Sequence, residues 1–213
     1  YHNSSPGPMN RTRLDDEPVE KGELSTHEAF LALSSILGGY DEAGQSTGFS
    51  SELDYADSLG YKIAATEWNW NGWGADEAPF PAEFHWRHAA AAGTAVFLNG
   101  MLRQADKIII GTQSMLVGHE WDIATIRYGV SGETPVHFNA QGSVTCFYNE
   151  HRGDQVLEVR FENNPVIIQP FGVGWRQDRQ QVAILDAVAT ADESFVYCHM
   201  VNRSVSTLPV YIQ

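Results

Sequence analysis

Apolar and polar positions along this chain follow two different patterns, and the change falls near Gly118. Before it, apolar residues come either at helical spacing or in short unbroken runs. Ser25-Thr26-His27-Glu28 has the form of a capping box, and Phe30, Leu33, Ile36 and Leu37 follow at helical spacing up to Gly38-Gly39. A second helix is predicted from Ser50-Ser51, burying Leu53, Ala56 and Leu59 and stopped by Gly60. Lys62 to Ala65 then reads as the start of a buried strand. Pro79 and Pro81 introduce the longest predicted helix, about residues 82 to 105, with Phe84, His88, Ala91, Ala95, Leu98 and Leu102 on one face. Lys107 to Thr112 is the next strand, too apolar to be half-exposed. Helix, strand, helix, strand is the alternation of a parallel α/β sheet. Residues 1 to about 24 are rich in Pro, Gly, Ser and charge and read as loop.

Beyond Gly118 the segments become short and alternating, separated by turn residues: Ala124 to Tyr128, Val144 to Tyr148, Val156 to Phe161, Val166 to Gln169, Val182 to Val188 and Phe195 to Val201. Glu150 to Asp154 and Ala191 to Ser194 read as hairpin connections. Short strands with no helical period predict an antiparallel sandwich. Arg152-Gly153-Asp154 spells an adhesive tripeptide, but a tight turn explains it better.

Composition narrows the function. A chain of 213 residues with 43% hydrophobic and 19% charged positions is that of a globular protein with a real core. A net charge of −14 argues against a nucleic-acid backbone or an anionic membrane as partner, and suits a neutral substrate such as a polysaccharide. No apolar run approaches the roughly 20 residues that span a bilayer. Tyr1 to Gly7 has no charged start leading into an apolar stretch, so no signal peptide is expected, and no compartment is assigned. Cys146 and Cys198 both fall in predicted strands, as two buried thiols or one disulfide, buried thiols being preferred. Sequons begin at Asn3, Asn10 and Asn202 and are weak evidence of glycosylation.

The stretch with chemistry is Lys62 to Gly74. Its strand ends in one carboxylate, Glu67, followed by Trp68, Asn69, Trp70, Asn71 and Trp73. The carboxyl end of a parallel strand is where barrel enzymes hold their chemistry. Flat indoles and amides suit a sugar ring, which is apolar on its C–H face and polar at its rim. His85 and His88 lie three apart, but no carboxylate or Cys cluster accompanies them, so no metal is expected and no cofactor is needed. There is no Gly-x-Ser-x-Gly elbow and no phosphate-cradling loop. Carboxylate chemistry remains, and a retaining glycosidase needs two carboxyl groups about 5–5.5 Å apart. Glu67 is the candidate nucleophile. Thr112-Gln113-Ser114 ends the next strand without an acid, and Asp76, Glu77 and Glu83 are less firmly placed, so the sequence supplies half of the pair.

Ala65-Thr66-Glu67-Trp68-Asn69 resembles the Asp-Glu-Trp-Asn segment of the α-L-arabinofuranosidases of glycoside hydrolase family 51, where that Glu is the nucleophile. Phe97 to Asp106 is similar to the family's helix before its last barrel strand, and Met115-Leu116-Val117-Gly118 to its Gln-Leu-Val-Asn. Ile184 to Ala189 and Val201-Asn202-Arg203-Ser204 resemble its Tyr-Leu-Asp-x-x-Ala and Val-Asn-Arg segments. The matches run in the family's order from about residue 62 to 204. Thr66 replaces the family's Asp, and Gly118 its Asn.

The resemblance implies the C-terminal part of a (β/α)8 TIM barrel over residues 1–117 and an incomplete, jelly-roll-like antiparallel β-sandwich over 118–213. It implies a retaining hydrolase that releases non-reducing α-L-arabinofuranosyl units from oligo- or polysaccharide. Glu67 is then the nucleophile, with an acid/base Glu outside this chain. Trp68, Asn69, Tyr1 and, if the strand end is offset, Gln113 are then substrate-binding; Trp70, outside the motif, is a substrate-binding candidate by its flat indole and could equally pack in the core. The remainder of the barrel, from the same gene or a partner chain, is an implied partner, and a homo-oligomer is compatible. The alternatives are an endo-β-glucanase or β-xylosidase of the same clan, or a carbohydrate-binding or structural fragment without catalysis.

Overall fold

The computed structural model describes residues 2–5, 49–70, 88–119, 123–129, 135–168 and 181–213. The predicted helix after Ser25 and the tryptophan loop from Asn71 lie outside these residues.

The first half is built on a parallel sheet. Strands β1 (His2–Ser5), β2 (Ile63–Trp70) and β3 (Ile108–Gln113) lie in that order, with β2 in the centre and both pairings parallel. Helix α1 (Phe49–Ser58) precedes β2, and helix α2 (His88–Arg103) joins β2 to β3. Gly60 ends α1 as the sequence predicts. Its φ of 77° is the left-handed turn a Cβ resists, and Tyr61 N–H closes on the Ala56 carbonyl at 3.0 Å. Leu53 is buried at 1% exposure, but Leu59 is exposed and Ala56 only half-buried. Lys107 at the start of β3 pairs with Asp54 of α1 at 2.6 Å.

Strand β3 departs from its predicted burial. Ile108 is buried, yet Ile109 and Ile110 are 64% and 51% exposed. Among the described strands β3 pairs with β2 alone, so one edge and part of its surface go uncovered. Helix α2 departs in the opposite sense. Val96 and Phe97, outside the predicted face, are buried along with Ala95, because α2 is packed on two sides.

The second half is mixed rather than purely β. Residues Val144 to Tyr148 are not a strand; they lie in helix α3 (Ala140–Glu150), which packs against α2. Asn139 caps α3, its side chain accepting from Gly142 N–H at 2.7 Å. The apolar pairs that looked like strand alternation sit on a helix whose face toward α2 carries Gln141 and Tyr148. Cys146 therefore stands on a helix, half-buried, and its Sγ donates to Glu150 Oε1 at 3.3 Å, which raises the thiol's pKa. Both thiols are free, as preferred over a disulfide, but Cys198 is exposed and Cys146 only half-buried, contrary to the expected burial. Glu150 to Asp154 accordingly links a helix to a strand and is no hairpin. Gly153 there lies so close to Ala191 that a Cβ would strike its backbone.

The remaining strands are short. Strands β4 (Val117–Gly118), β5 (Ile126–Arg127) and β6 (His137–Phe138) form one small sheet. Strands β7 (Gln155–Leu157), β10 (Leu185–Ala191) and β11 (Val196–Asn202) form an antiparallel sheet with β10 central. Strands β8 (Val166–Ile168) and β9 (Gln181–Ala183) pair antiparallel. The predicted strand over Val182 to Val188 is thus two, split at Ile184. Asn164 bridges the split, its side chain donating to Leu185 C=O at 2.7 Å and accepting from Leu185 N–H at 3.0 Å. Ala191 to Ser194 is the predicted hairpin turn. Asp192 accepts there from Ser194 N–H, Phe195 N–H and Tyr197 OH, which together hold its carboxyl below the usual range.

Candidate functional site

Glu67 sits in the carboxyl-terminal half of the central strand, level with His2 of β1; the strand does not end there, as the sequence suggested, but continues to Trp70. The pairing of β2 with β3 shifts between Ala65 and Trp68, so the regular ladder is interrupted where Glu67 stands. Such irregularities re-aim a side chain. Trp68, next in line, is 1% exposed and stacks on Phe97 of α2 with centroids 5.5 Å apart and planes at 17°. Its indole packs between sheet and helix. Strand alternation then turns Glu67 and Asn69 to the opposite face.

On that face Glu67 is half-buried and meets the end of β3: Ser114 Oγ donates to Glu67 Oε1 at 2.8 Å. Asn69 is 2% exposed, and its buried Oδ1 has no hydrogen-bond partner among the described residues. A buried carbonyl oxygen left this way costs free energy unless a ligand or water serves it. Gln113 goes elsewhere. It lies opposite Trp68 in the ladder, and its Oε1 accepts from Thr145 Oγ1 of α3 at 2.6 Å, so its side chain is turned to the helix layer. The structure therefore brings Glu67 and Asn69 together on one face and sets Trp68 and Gln113 on the other. Ser114 is the addition: a lone serine after an apolar strand carries no motif, and only the fold puts it against Glu67.

Tyr1 lies outside the described residues, as do the side chain of Trp70 and all of Trp73. His85 and the His88 side chain do too, and among the described residues no group of three or more His, Cys, Asp or Glu is placed to hold a metal. No helix among them is long and apolar enough to cross a membrane.

The other segments that resemble the family converge on a second polar cluster. Asp186 of β10 accepts from Asn99 Nδ2 at 3.0 Å and from Arg103 Nη1 at 2.7 Å, both on α2. Arg203, just past β11, comes within 3.4 Å of the same carboxylate. Burial lowers the pKa of Arg203, Asp186 opposes that, and the charge of Arg103 adds to it. Tyr148 of α3 donates to Asn99 Oδ1 at 2.7 Å; its pKa is raised by burial and by the charge of Asp186, so its hydroxyl stays a donor. This cluster ties the helix behind Trp68 to the β10–β11 hairpin. Its role is structural.

His199 of β11 stacks on Tyr148 with centroids 4.1 Å apart and is buried. Burial pushes its imidazole below the ordinary 6.5; the backbone of His151 works against this and the charge of His151 adds to it. The folded protein thus binds fewer protons here than the unfolded chain. This contribution is complete above about pH 6.5 and is lost as pH falls below it, down to the lowered pKa. His199→Phe keeps a ring against Tyr148 but cannot titrate. Its thermal midpoint should fall less steeply than that of the parent between pH 6.5 and 5, and parallel curves would rule the effect out.

A cleft of about 530 Å³ opens between residues 160–165 and 208–213, with Phe161, Asn164, Leu185 and Tyr211 in its wall. Glu67 is not among its lining residues. Size alone does not make it the site.

No protein-family model and no curated sequence matches the chain. Solved structures do resemble it. One is a family 51 α-L-arabinofuranosidase from Bifidobacterium longum, 17% identical, with a TM-score of 0.56 over 85% of this chain and 35% of that one. Another is the thermostable α-L-arabinofuranosidase of the same family from Thermotoga petrophila RKU-1, 16% identical, with a TM-score of 0.50 over 71% of this chain and 31% of that one. The chain spans about a third of the length of these structures. At this identity the likeness is one of fold.

Proposed function

We propose that this chain is part of a retaining glycoside hydrolase that releases non-reducing α-L-arabinofuranosyl units, with Glu67 as the nucleophile. The observation that carries the reading is the Glu67 carboxylate in the carboxyl-terminal half of the central parallel strand, held at 2.8 Å by Ser114 at the end of the neighbouring strand. The fold shared with family 51 structures supports it. In this reading residues 1–117 belong to the catalytic barrel and 118–213 to a β-sandwich. The acid/base Glu comes from the rest of the protein.

The reaction divides between the two carboxylates. Glu67 attacks the anomeric carbon, and the acid/base Glu protonates the leaving oxygen; water activated by that second group then releases the sugar with its configuration retained. Asn69 supplies an acceptor for a sugar hydroxyl. The intact protein should hydrolyse an aryl α-L-arabinofuranoside in preference to an aryl β-xyloside or a β-glucan, read by aryl alcohol or reducing-sugar release. Turnover of the xyloside or glucan alone would replace the arabinofuranosyl assignment, and turnover of none would overturn the hydrolase reading.

A further inference from the structure

Ser114 is held on both sides. Its N–H donates to the Trp68 carbonyl at 2.8 Å, so the backbone of β3's end is tied to the very strand that carries Glu67. The Met115 carbonyl accepts from Thr125 N–H at 2.9 Å and from Thr125 Oγ1 at 3.0 Å, which pins the next residue. The hydroxyl between these anchors is half-buried and reaches Glu67 Oε1 at 2.8 Å. An ionised carboxylate accepts only, so the hydroxyl is the donor, and such a charge-assisted bond is stronger than a neutral one. Serine at this position is therefore fixed in place and in proton direction.

From this geometry we infer that Ser114 is a positioning residue for Glu67, an inference that rests on the reading of Glu67 as nucleophile. Held through Oε1, the carboxylate presents Oε2 in a set direction. In the first step Oε2 bonds to the anomeric carbon and the bond from that carbon to the aryl oxygen breaks, its electron pair staying on the aryl oxygen, which takes the proton of the acid/base Glu and leaves that group a carboxylate. In the second step a water oxygen bonds to the anomeric carbon and its proton passes to the acid/base carboxylate. The ester bond to Glu67 breaks, and its electron pair returns to the carboxylate that Ser114 faces. Ser114 thus stabilises charge that is spent in the first step and restored in the second. Its loss slows release of the sugar more than attack on it.

The test uses the intact protein and a 4-nitrophenyl α-L-arabinofuranoside. For Ser114→Ala, kcat should fall about tenfold, the loss of one hydrogen bond to a charged group, while kcat/KM changes much less. KM therefore falls with kcat, and a pentosyl adduct builds up on the peptide that contains Glu67, read by mass spectrometry. Ser114→Thr, which keeps the hydroxyl, should restore kcat and remove the adduct. Ser114→Cys, a weak donor of similar volume, should behave as the alanine variant does and decides the matter if the alanine variant fails to fold. Unchanged kcat in a folded Ala or Cys variant, or equal loss in kcat and kcat/KM for Ala, Cys and Thr alike, overturns the role of Ser114 and leaves that of Glu67 standing. If the parent protein releases no 4-nitrophenol and shows no adduct on the Glu67 peptide, the hydrolase reading falls, and the role of Ser114 falls with it.

Discussion

Glu67→Gln in the intact protein is expected to remove turnover of an aryl α-L-arabinofuranoside almost completely, by a factor on the order of 10⁴ or more, as loss of a covalent nucleophile does elsewhere. The substitution is nearly isosteric, and the amide oxygen of glutamine can still accept from Ser114, so packing around β2 is kept. What disappears is the charge that forms the ester. The urea midpoint should therefore stay close to that of the parent while kcat collapses. A complementary variant, Glu67→Ala, opens space at the strand end. Azide added to it should attack the anomeric carbon from the side Glu67 occupied and give the glycosyl azide of inverted configuration. A Glu67→Gln protein that keeps most of its activity, or an alanine variant that azide leaves silent with an activated substrate, would sink the assignment.

Much of the first half could be read from the chain because its signals are local. Gly60 after Ser58, the apolar entry into β2 and the run from Ile108 each act through near neighbours, and those elements stand where the spacing puts them. Burial was less legible, since it depends on what lies against an element. Ile109 and Ile110 read as core and are exposed because nothing described pairs on that side of β3. Val144 to Tyr148 read as strand and is helix, because the Asn139 cap and the packing of Tyr148 against Asn99 and Ala95 override a short apolar alternation. The site divided in the same way. Glu67 announced itself by following an apolar run, although the strand continues past it to Trp70, while Ser114 is distant in sequence and ordinary in type. The tryptophan after Glu67 invited a stacking role; Phe97 takes its face instead. Asp186 and Arg203 were visible only as likenesses to a family, and the fold shows what they share: one buried carboxylate serving Asn99, Arg103 and Arg203.

Asp186→Ala is expected to cost about 3–5 kcal/mol of stability, the usual result of removing one partner of a buried ion pair. Arg203 is nearly fully buried, and without Asp186 its guanidinium keeps a charge in a place that already disfavours it. Asn99, wholly buried, loses the acceptor of its amide, and Arg103 falls back on the Ala187 carbonyl at 3.2 Å. The penalty comes from what is left behind more than from the contact removed. Asp186→Asn keeps the shape and an acceptor for Asn99, so it should fall between the parent and the alanine variant. Removing the buried cation that has lost this carboxylate should recover part of the loss, so Asp186→Ala with Arg203→Met should be more stable than Asp186→Ala alone. Urea unfolding with the slope compared between variants measures all three. A single variant within about 1 kcal/mol of the parent, or a double variant weaker than the single, would show that the cluster does not hold α2 to the β10–β11 hairpin by this charge. Because α2 also backs Trp68 through Phe97, the same loss should reach the strand that carries Glu67 and lower activity before the protein unfolds globally.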